Sequence, residues 1–361
     1  MKHLRYFENQ AAYNQARGNN YIEPWVSYTE GIGLNYNKDF EEEYFTLVLL
    51  GAGTVTLYDY GYGEYSSELY YSKNGGTWTE VVLQDYSLDI SVVNGDKIRI
   101  KGNNSQNGLP YFHIESTANF NAEGNVMSLL YGDNYRNQHE ITASGALMGL
   151  FMECNAIISA KNLKLPATII SNACYGLNDS DAWSGMFMRC SNLVEGPEVL
   201  PALVAEESCY CHMFDECTSL VTGPRVIAAT TMNRCSCLCM FAKCTSLVNV
   251  PEILPAMTLG DFCYDEMFHR CTSLVTAPVL PATTLVNQCY AYMFQDCTNL
   301  NYVKAMFLTD PGTFNNYQNP TFSWLYNVSA TGTFVKNAAA AWNITGNNGI
   351  PSGWTVETAV E

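Results

Sequence analysis

The side chains best suited to chemistry in this chain are its cysteines, all fourteen of which fall between Cys154 and Cys297. Cys209-x-Cys211-His212 and Cys235-x-Cys237-x-Cys239 each look like half of a zinc site, because thiolates and imidazoles are ligands that zinc prefers. Zinc needs ligands converging on one point, whereas these cysteines recur at regular intervals and so spread along the molecule. The same regularity disfavours disulfides, since same-column cysteines on regular helices rarely meet the geometry a disulfide requires. Buried free thiols acting as small apolar side chains are the preferred reading. No metal and no cofactor is expected.

Catalysis has less to draw on. His3, His113, His139, His212 and His269 share no local motif, and the chain has no Gly-x-Ser-x-Gly elbow, phosphate loop or dinucleotide fingerprint. Asp215-Glu216 is a suggestive carboxylate pair, but neighbouring units hold Ala242-Lys243 and His269-Arg270 in the same slot. Such variation marks a solvated face rather than an acid/base pair. The chain is therefore expected not to be an enzyme. A glycan-active enzyme is the distant alternative, and it lacks a recognisable acid/base pair.

Binding is better supplied. The segment Tyr58-Asp59-Tyr60-Gly61-Tyr62-Gly63-Glu64-Tyr65 offers Tyr58, Tyr60 and Tyr62 as rings that stack on sugars or anchor a protein contact. Its competing reading is a loop packed on its own domain. The wider composition agrees with an outward-facing binding role: 24 tyrosines, only 15% charged residues and a net charge of −17. That charge, with no basic stripe, argues against nucleic acid as a partner. No apolar run approaches a membrane span, and the opening Met1-Lys2-His3-Leu4-Arg5 does not read as a secretory signal.

Several elements must position these groups. Residues 1–40 read as a lead-in, with helical spacing over Leu4–Arg17 followed by an extended Tyr21–Tyr28. Residues 41–128 alternate apolar and polar positions. Strands are expected at Phe45–Leu50, Thr54–Tyr58, Glu68–Tyr71, Trp78–Leu83, Leu88–Val92, Lys97–Lys101 and Tyr111–Glu115. Turn chemistry at Asn74-Gly75-Gly76 and Asn94-Gly95-Asp96 completes an antiparallel β-sandwich.

From residue 150 the chain repeats. Met186-Phe187, Met213-Phe214, Met240-Phe241, Met267-Phe268 and Met293-Phe294 recur at intervals of 27, 27, 27 and 26, and each Phe is followed three residues later by Cys190, Cys217, Cys244, Cys271 or Cys297. That interval lies in the leucine-rich-repeat range. Cys263, Met267 and Cys271, with Tyr264 and Phe268 beside them, fit one apolar stripe of a helix, and Leu274-Val275 fits a short strand. One such unit cannot bury its own stripe, so neighbours must stack.

The motif Leu280 to Leu285, followed by Cys289-Tyr290-x-x-Met293-Phe294-x-x-Cys297-Thr298-Asn299-Leu300, resembles the BspA-type leucine-rich repeats of surface proteins from anaerobic gut and oral bacteria. The likeness runs from about residue 45 to the end, taking in Gly124–Asp133 and Gly349–Val356. Pro24–Glu30 is similar to openings of proteins from gut-bacterial phages and prophages. The resemblance implies an adhesin or binding protein whose repeats hold no catalytic residue. One unit departs from the pattern: Cys235, Cys237 and Cys239 displace the usual Cys-Tyr, with Ser236 where Cys209, Cys263 and Cys289 stand. In the Leu-x-x-Leu-x-Leu pattern, Gly196, Gly223, Val250 and Ala277 point inward, and Glu195, Thr222, Asn249 and Thr276 point outward as candidate ligand-binding positions.

The resulting expectation is an α+β chain: an N-terminal antiparallel β-sandwich followed by a leucine-rich-repeat-type solenoid of short strands and helices. Its divisions are a lead-in at 1–40, a β-sandwich at 41–128, repeats at 129–300 and a cap at 301–361. The expected role is non-enzymatic adhesion to a host or bacterial cell-surface protein or glycan, with no nucleic acid and no membrane span. The alternative is a phage or prophage virion component, such as a tail fibre. Either role places the protein outside the cell, on a cell surface or a virion.

Overall fold

A computed structural model describes residues 43–59, 67–109, 111–143, 145–169 and 185–359. The lead-in with its expected helix, Tyr60, Tyr62, Cys174 and the insertion at 176–183 lie outside those residues.

The alternating N-terminal segment forms β1 (Phe45–Leu49), β2 (Gly53–Asp59), β3 (Leu69–Lys73), β4 (Thr79–Glu80), β5 (Ser87–Val92), β6 (Lys97–Gly102), β7 (Phe112–Ser116) and β8 (Phe120–Asn125). Antiparallel pairing gives two sheets, one ordered β8-β1-β6-β3-β4 and the other β5-β2-β7. Their inward residues are Phe45, Leu47, Val55, Leu57, Ile98, Ile100, Ile114 and Phe120, all fully buried. Period-2 alternation thus buries one face of each strand. Asn74 and Gly75 both adopt positive φ (53° and 74°), as a tight hairpin turn with strand-matching twist requires.

After β8 come the short helix α1 (Ser128–Tyr131), β9 (Glu140–Ile141), β10 (Ile157–Ser159), β11 (Leu163–Lys164) and β12 (Thr168–Ile169). β8 is the junction. It pairs antiparallel with β1 on one side and parallel with β10 and β11 on the other. Gly124 permits this double pairing, because a Cβ on its positive-φ backbone (79°) would lie 2.1 Å from the Tyr44 carbonyl oxygen.

The expectation of an antiparallel β-sandwich followed by a solenoid of strands and helices is corrected here. The larger sheet is mixed rather than antiparallel, because β8 carries parallel partners. Among the described residues α1 is the sole α-helix, and the stretches expected to be helical are successions of turns. Short parallel pairs, β13 (Val199–Leu200) with β15 (Val226–Ile227) and β14 (Val204–Ala205) with β16 (Thr231–Met232), link neighbouring units. The Leu274-Val275 segment forms no strand; the contact there is a single bridge from Thr276 to Tyr302. A parallel sheet of β17 (Tyr302–Ala305), β18 (Gly332–Lys336) and β19 (Trp354–Thr358) closes the chain.

The hydrogen bonds explain why turns replace helix. In one unit Phe214 N–H and Glu216 N–H leave for the carbonyls of Met240 and Ala242 in the next unit, each at 2.9 Å. The residues between them turn back locally, Met213 to Tyr210 at 3.3 Å, Asp215 to His212 at 3.2 Å and Cys217 to Phe214 at 3.0 Å. An α-helix would spend all these donors within itself. Every fourth residue is instead left-handed: Ser208, His212 and Glu216 have φ of 56°, 52° and 61°, and Phe262, Glu266 and Arg270 repeat the pattern at 59°, 53° and 60°. Such a conformation costs about 1–2 kcal/mol per non-glycine residue. Stacking offsets part of it. Phe151, Phe187, Phe214, Phe241, Phe268 and Phe294 are fully buried and stack face to face, with ring centroids 5.3–5.5 Å apart. Each buried ring contributes about 1.5–3 kcal/mol.

Beyond Cys297 the rungs carry tryptophan, and Trp324 takes the slot of the repeat methionine, since Phe294 N–H donates to its carbonyl as Phe268 N–H does to that of Met293. Trp324, Trp342 and Trp354 are buried, and their indole N–H groups donate to the carbonyls of Gly349, Phe307 and Ser329. Bulky rings with their one donor satisfied seal the apolar column.

Candidate functional site

Two columns of side chains run across the stacked units, and backbone bridges position the first. Ser159 bridges Glu195, Glu195 bridges Thr222, and Thr222 bridges Asn249, all in parallel register. Thr276 bridges Tyr302 of β17. Asn249 and Thr276 are exposed, Glu195 and Thr222 half-buried, and Gly196, Gly223 and Ala277 buried beside them. A Cβ added at Gly196 would press on the Phe214 ring at 3.1 Å. Hydrogen bonds run along the column, from Asn249 Nδ2 to Thr222 Oγ1 at 3.0 Å and from Ser159 Oγ to Glu195 Oε2 at 3.1 Å. Lys161 approaches Glu195 to 3.7 Å.

A parallel apolar stripe adjoins it. Val194, Val221, Val248 and Val275 are all exposed, each directly after the buried repeat leucine. Val221 N–H donates to the Val194 carbonyl and Val248 N–H to that of Val221, so the valines sit one rung apart. Sequence reasoning missed this stripe. The signal was present, since valine follows the leucine in every unit from Leu193 to Leu274.

The second column consists of the left-handed residues that precede each repeat cysteine: Glu153, Arg189, Glu216, Lys243, Arg270 and Asp296. Opposite charges interleave. Arg189 contacts Glu153 at 3.0 Å and Glu216 at 3.3 Å, Lys243 binds Glu216, and Arg270 lies 3.5 Å from Asp296. The hydrogen bond from Lys243 holds the Glu216 carboxyl below its ordinary range, and Glu153 raises Arg189 in the same way. A shallow groove follows these residues, with Asn155, Ser191, Thr218 and Thr245 along it. The cations are matched to carboxylates, which leaves the groove little surplus charge for an anion.

Acid and imidazole groups lie on the turns just before the charge column. His212 Nδ1 is 3.0 Å from Asp215, and His269 Nδ1 is 2.9 Å from Glu266. The His269 bond lowers the Glu266 pKa, whereas burial raises that of neighbouring Asp265 to about 8. These groups sit on turns of several units, with His269 Nε2 3.7 Å from Asp296 of the next one, and among the described residues no group of three ligands is placed to hold a metal ion.

The thiols have a structural task. Thirteen described cysteines are free, twelve of them buried. Each repeat cysteine points Sγ at the carbonyl oxygen of the preceding unit's Phe: Cys190 to Phe151 at 2.8 Å, Cys217 to Phe187 at 2.9 Å, Cys244 to Phe214 at 3.0 Å and Cys271 to Phe241 at 3.0 Å. Burial drives the thiol pKa values up, to about 11 for Cys154 and about 12 for Cys289, which suppresses the reactive thiolate. In the divergent unit, Cys237 and Ser236 are fully buried, and Ser236 Oγ donates to Met232 Sδ at 3.3 Å.

Of the tyrosine candidates, Tyr58 lies on β2 with its ring stacked on His113, centroids 4.7 Å apart. Burial lowers the His113 pKa, which favours the neutral imidazole. Tyr58 is therefore already engaged within its own sheet. No helix among the described residues is long and apolar enough to cross a membrane. Comparison with family models, curated proteins and solved structures finds no match to this chain.

Proposed function

We propose that this chain is a non-enzymatic binding protein that presents the valine stripe and the adjoining column Glu195, Thr222, Asn249 and Thr276 to a protein or glycan on a cell surface. The observation that carries this reading is the exposure, rung after rung, of an apolar side chain beside a polar one on a hydrogen-bonded ladder. Contiguous apolar side chains rimmed by polar ones are typical of interaction surfaces. A ladder also holds them in fixed register, so binding orders little additional chain. The acids and imidazoles, spread over separate turns, give no support to catalysis. A composition rich in tyrosine and poor in charge suits a role outside the cell.

The test is binding of the labelled protein to intact cells and to a glycan array. Val221→Asp combined with Val248→Asp is expected to weaken binding at least about tenfold, since each substitution places an unpaired charge in the contact. Unchanged binding by the folded double variant would remove this surface from consideration.

A further inference from the structure

The valine stripe is a ridge whose backbone is largely committed to neighbouring rungs. The N–H groups of Val194, Val221 and Val248 donate to the carbonyls of Ile158, Val194 and Val221 at 2.8, 3.0 and 3.1 Å, and the Val275 carbonyl accepts from Asn301 at 3.0 Å. The Val194 and Val221 carbonyls also accept from Thr222 and Asn249. A polypeptide laid along the stripe would bring an N–H and a C=O with nearly every residue, and those groups would lose water without finding partners. Its spacing is wrong as well. Side chains on one face of an extended peptide recur at about 7 Å, whereas stacked rungs recur at about 5 Å.

The flanks of the stripe are polar and almost without charge. On one side stand Thr222, Asn249 and Thr276. On the other, across the buried leucines, stand the half-buried Ser219, Ser246 and Ser273. The one ionic side chain in these rows is Glu195, and Lys161 approaches it to 3.7 Å. Between Val194 and Thr276 neither the valines nor their flanking rows contain an aromatic ring or an arginine. Such side chains are the usual anchors of protein–protein contacts, which also cover about 800 Å² on each partner. A single file of valines is narrow for that area.

An apolar centre with hydroxyl and amide edges suits a sugar. A pyranose ring has apolar C–H faces and a rim of hydroxyls. Lying on a valine, it sets those hydroxyls against serine on one side and threonine or asparagine on the other, groups that both donate and accept. Rings joined through equatorial bonds form a straight chain that advances by close to one rung per sugar. Taking the valine stripe as the binding surface, we propose that its partner is a neutral glycan of equatorially linked pyranose rings, lying along the stack with one ring on each valine. Neutrality follows from the uncharged flanks and from the net charge of −17, which repels uronate or sulfate groups.

Titration calorimetry of the full chain tests this against equatorially linked oligosaccharides of glucose, mannose, xylose and N-acetylglucosamine, with an oligouronate as the charged control. At least one neutral tetrasaccharide is expected to bind about tenfold or more tightly than its disaccharide, because it covers four exposed valines instead of two. The hexasaccharide is expected to gain less than about threefold further, since Asn301 takes the next place after Val275. Val248→Ser should weaken the tetrasaccharide at least about fivefold with the thermal midpoint retained. Val82→Ser, at an exposed valine between β4 and β5, should leave its affinity unchanged. Equal affinity for disaccharide and tetrasaccharide, tighter binding of the oligouronate, or binding that survives Val248→Ser overturns the proposal. Absence of binding to every neutral oligosaccharide, with cell binding still dependent on Val221 and Val248, overturns the glycan and leaves the surface to a protein partner. Cell binding indifferent to both valines removes the surface, and the glycan with it.

Discussion

The N-terminal sheets and the repeat stack bury the same kinds of side chain by opposite means. In β1 to β8 every strand but β4 is five to seven residues long and an antiparallel neighbour satisfies its backbone, so alternation decides what is buried. In the repeats only two-residue strands or single bridges remain, and turns with left-handed corners carry the chain. The stack accepts that backbone strain because each corner sends an amide to the next unit and lets another phenylalanine join the column. Strain distributed over many identical corners is tolerated when each corner also yields an inter-unit bond.

The sharpest break in this comparison is expected at the phenylalanine column. Phe214→Ala removes a fully buried ring with stacked neighbours on both sides and should cost about 3–5 kcal/mol, read by denaturant unfolding. Gly124→Ala attacks the junction instead. It forces a side chain into left-handed backbone against the Tyr44 carbonyl and should cost about 2–3 kcal/mol. Both regions should then melt together, and a melt confined to one of them would show that β8 does not couple them.

The thiol column predicts a smaller effect. The Phe187 carbonyl accepts from both Cys190 N–H and Cys217 Sγ, so Cys217→Ala, which removes only the second donor, should cost about 1 kcal/mol. Cys217→Ser, which keeps a donor, should cost less than the alanine variant by the same unfolding measurement. At a corner residue, Gln288 (φ 48°), glycine relieves strain and valine aggravates it, so Gln288→Gly and Gln288→Val should shift stability in opposite directions by about 1 kcal/mol each.

The last prediction concerns pH. Burial raises the folded-state pKa of Asp265 to about 8, above its value of 3.8 when free. The folded state then holds a proton that the unfolded state has lost, so this group's contribution is complete below the unfolded pKa and disappears as pH rises toward 8. Thermal midpoints of the wild type should fall more steeply between pH 5 and 8 than those of Asp265→Asn. Equal slopes would show that the carboxyl is solvated.

The sheets were legible in the sequence because β1, β2, β3, β5, β6 and β7 follow period-2 alternation to within one or two residues. β8 was overlooked because its inward positions are Phe120, Ala122 and Gly124, whose small side chains carry a weak signal. Trp78–Leu83 promised more strand than the two residues of β4 provide. The repeats were legible in period but not in conformation. Cys263, Met267 and Cys271 fit a helical face of 3.6 residues per turn and a four-residue turn equally well over so short a span. A clue lay in the corner slots, where Ser208, His212, Glu216, Phe262, Glu266, Arg270, Gln288 and Tyr292 include no β-branched residue, as left-handed backbone demands. The polar column could be placed from the repeat register, but the charge column required knowing that the chain turns left just before each cysteine.

The double pairing of β8 also offers a place for assembly to start. Each repeat bonds mainly to a neighbour 26 or 27 residues away, a modest loop to close, but a first rung has no template until β8 exists. β8 is itself held by β1 across a long stretch of chain. If β8 seeds the stack, folding resembles crystal growth: the non-local N-terminal pairings are the slow step, and the rungs add toward the C-terminus at nearly constant cost.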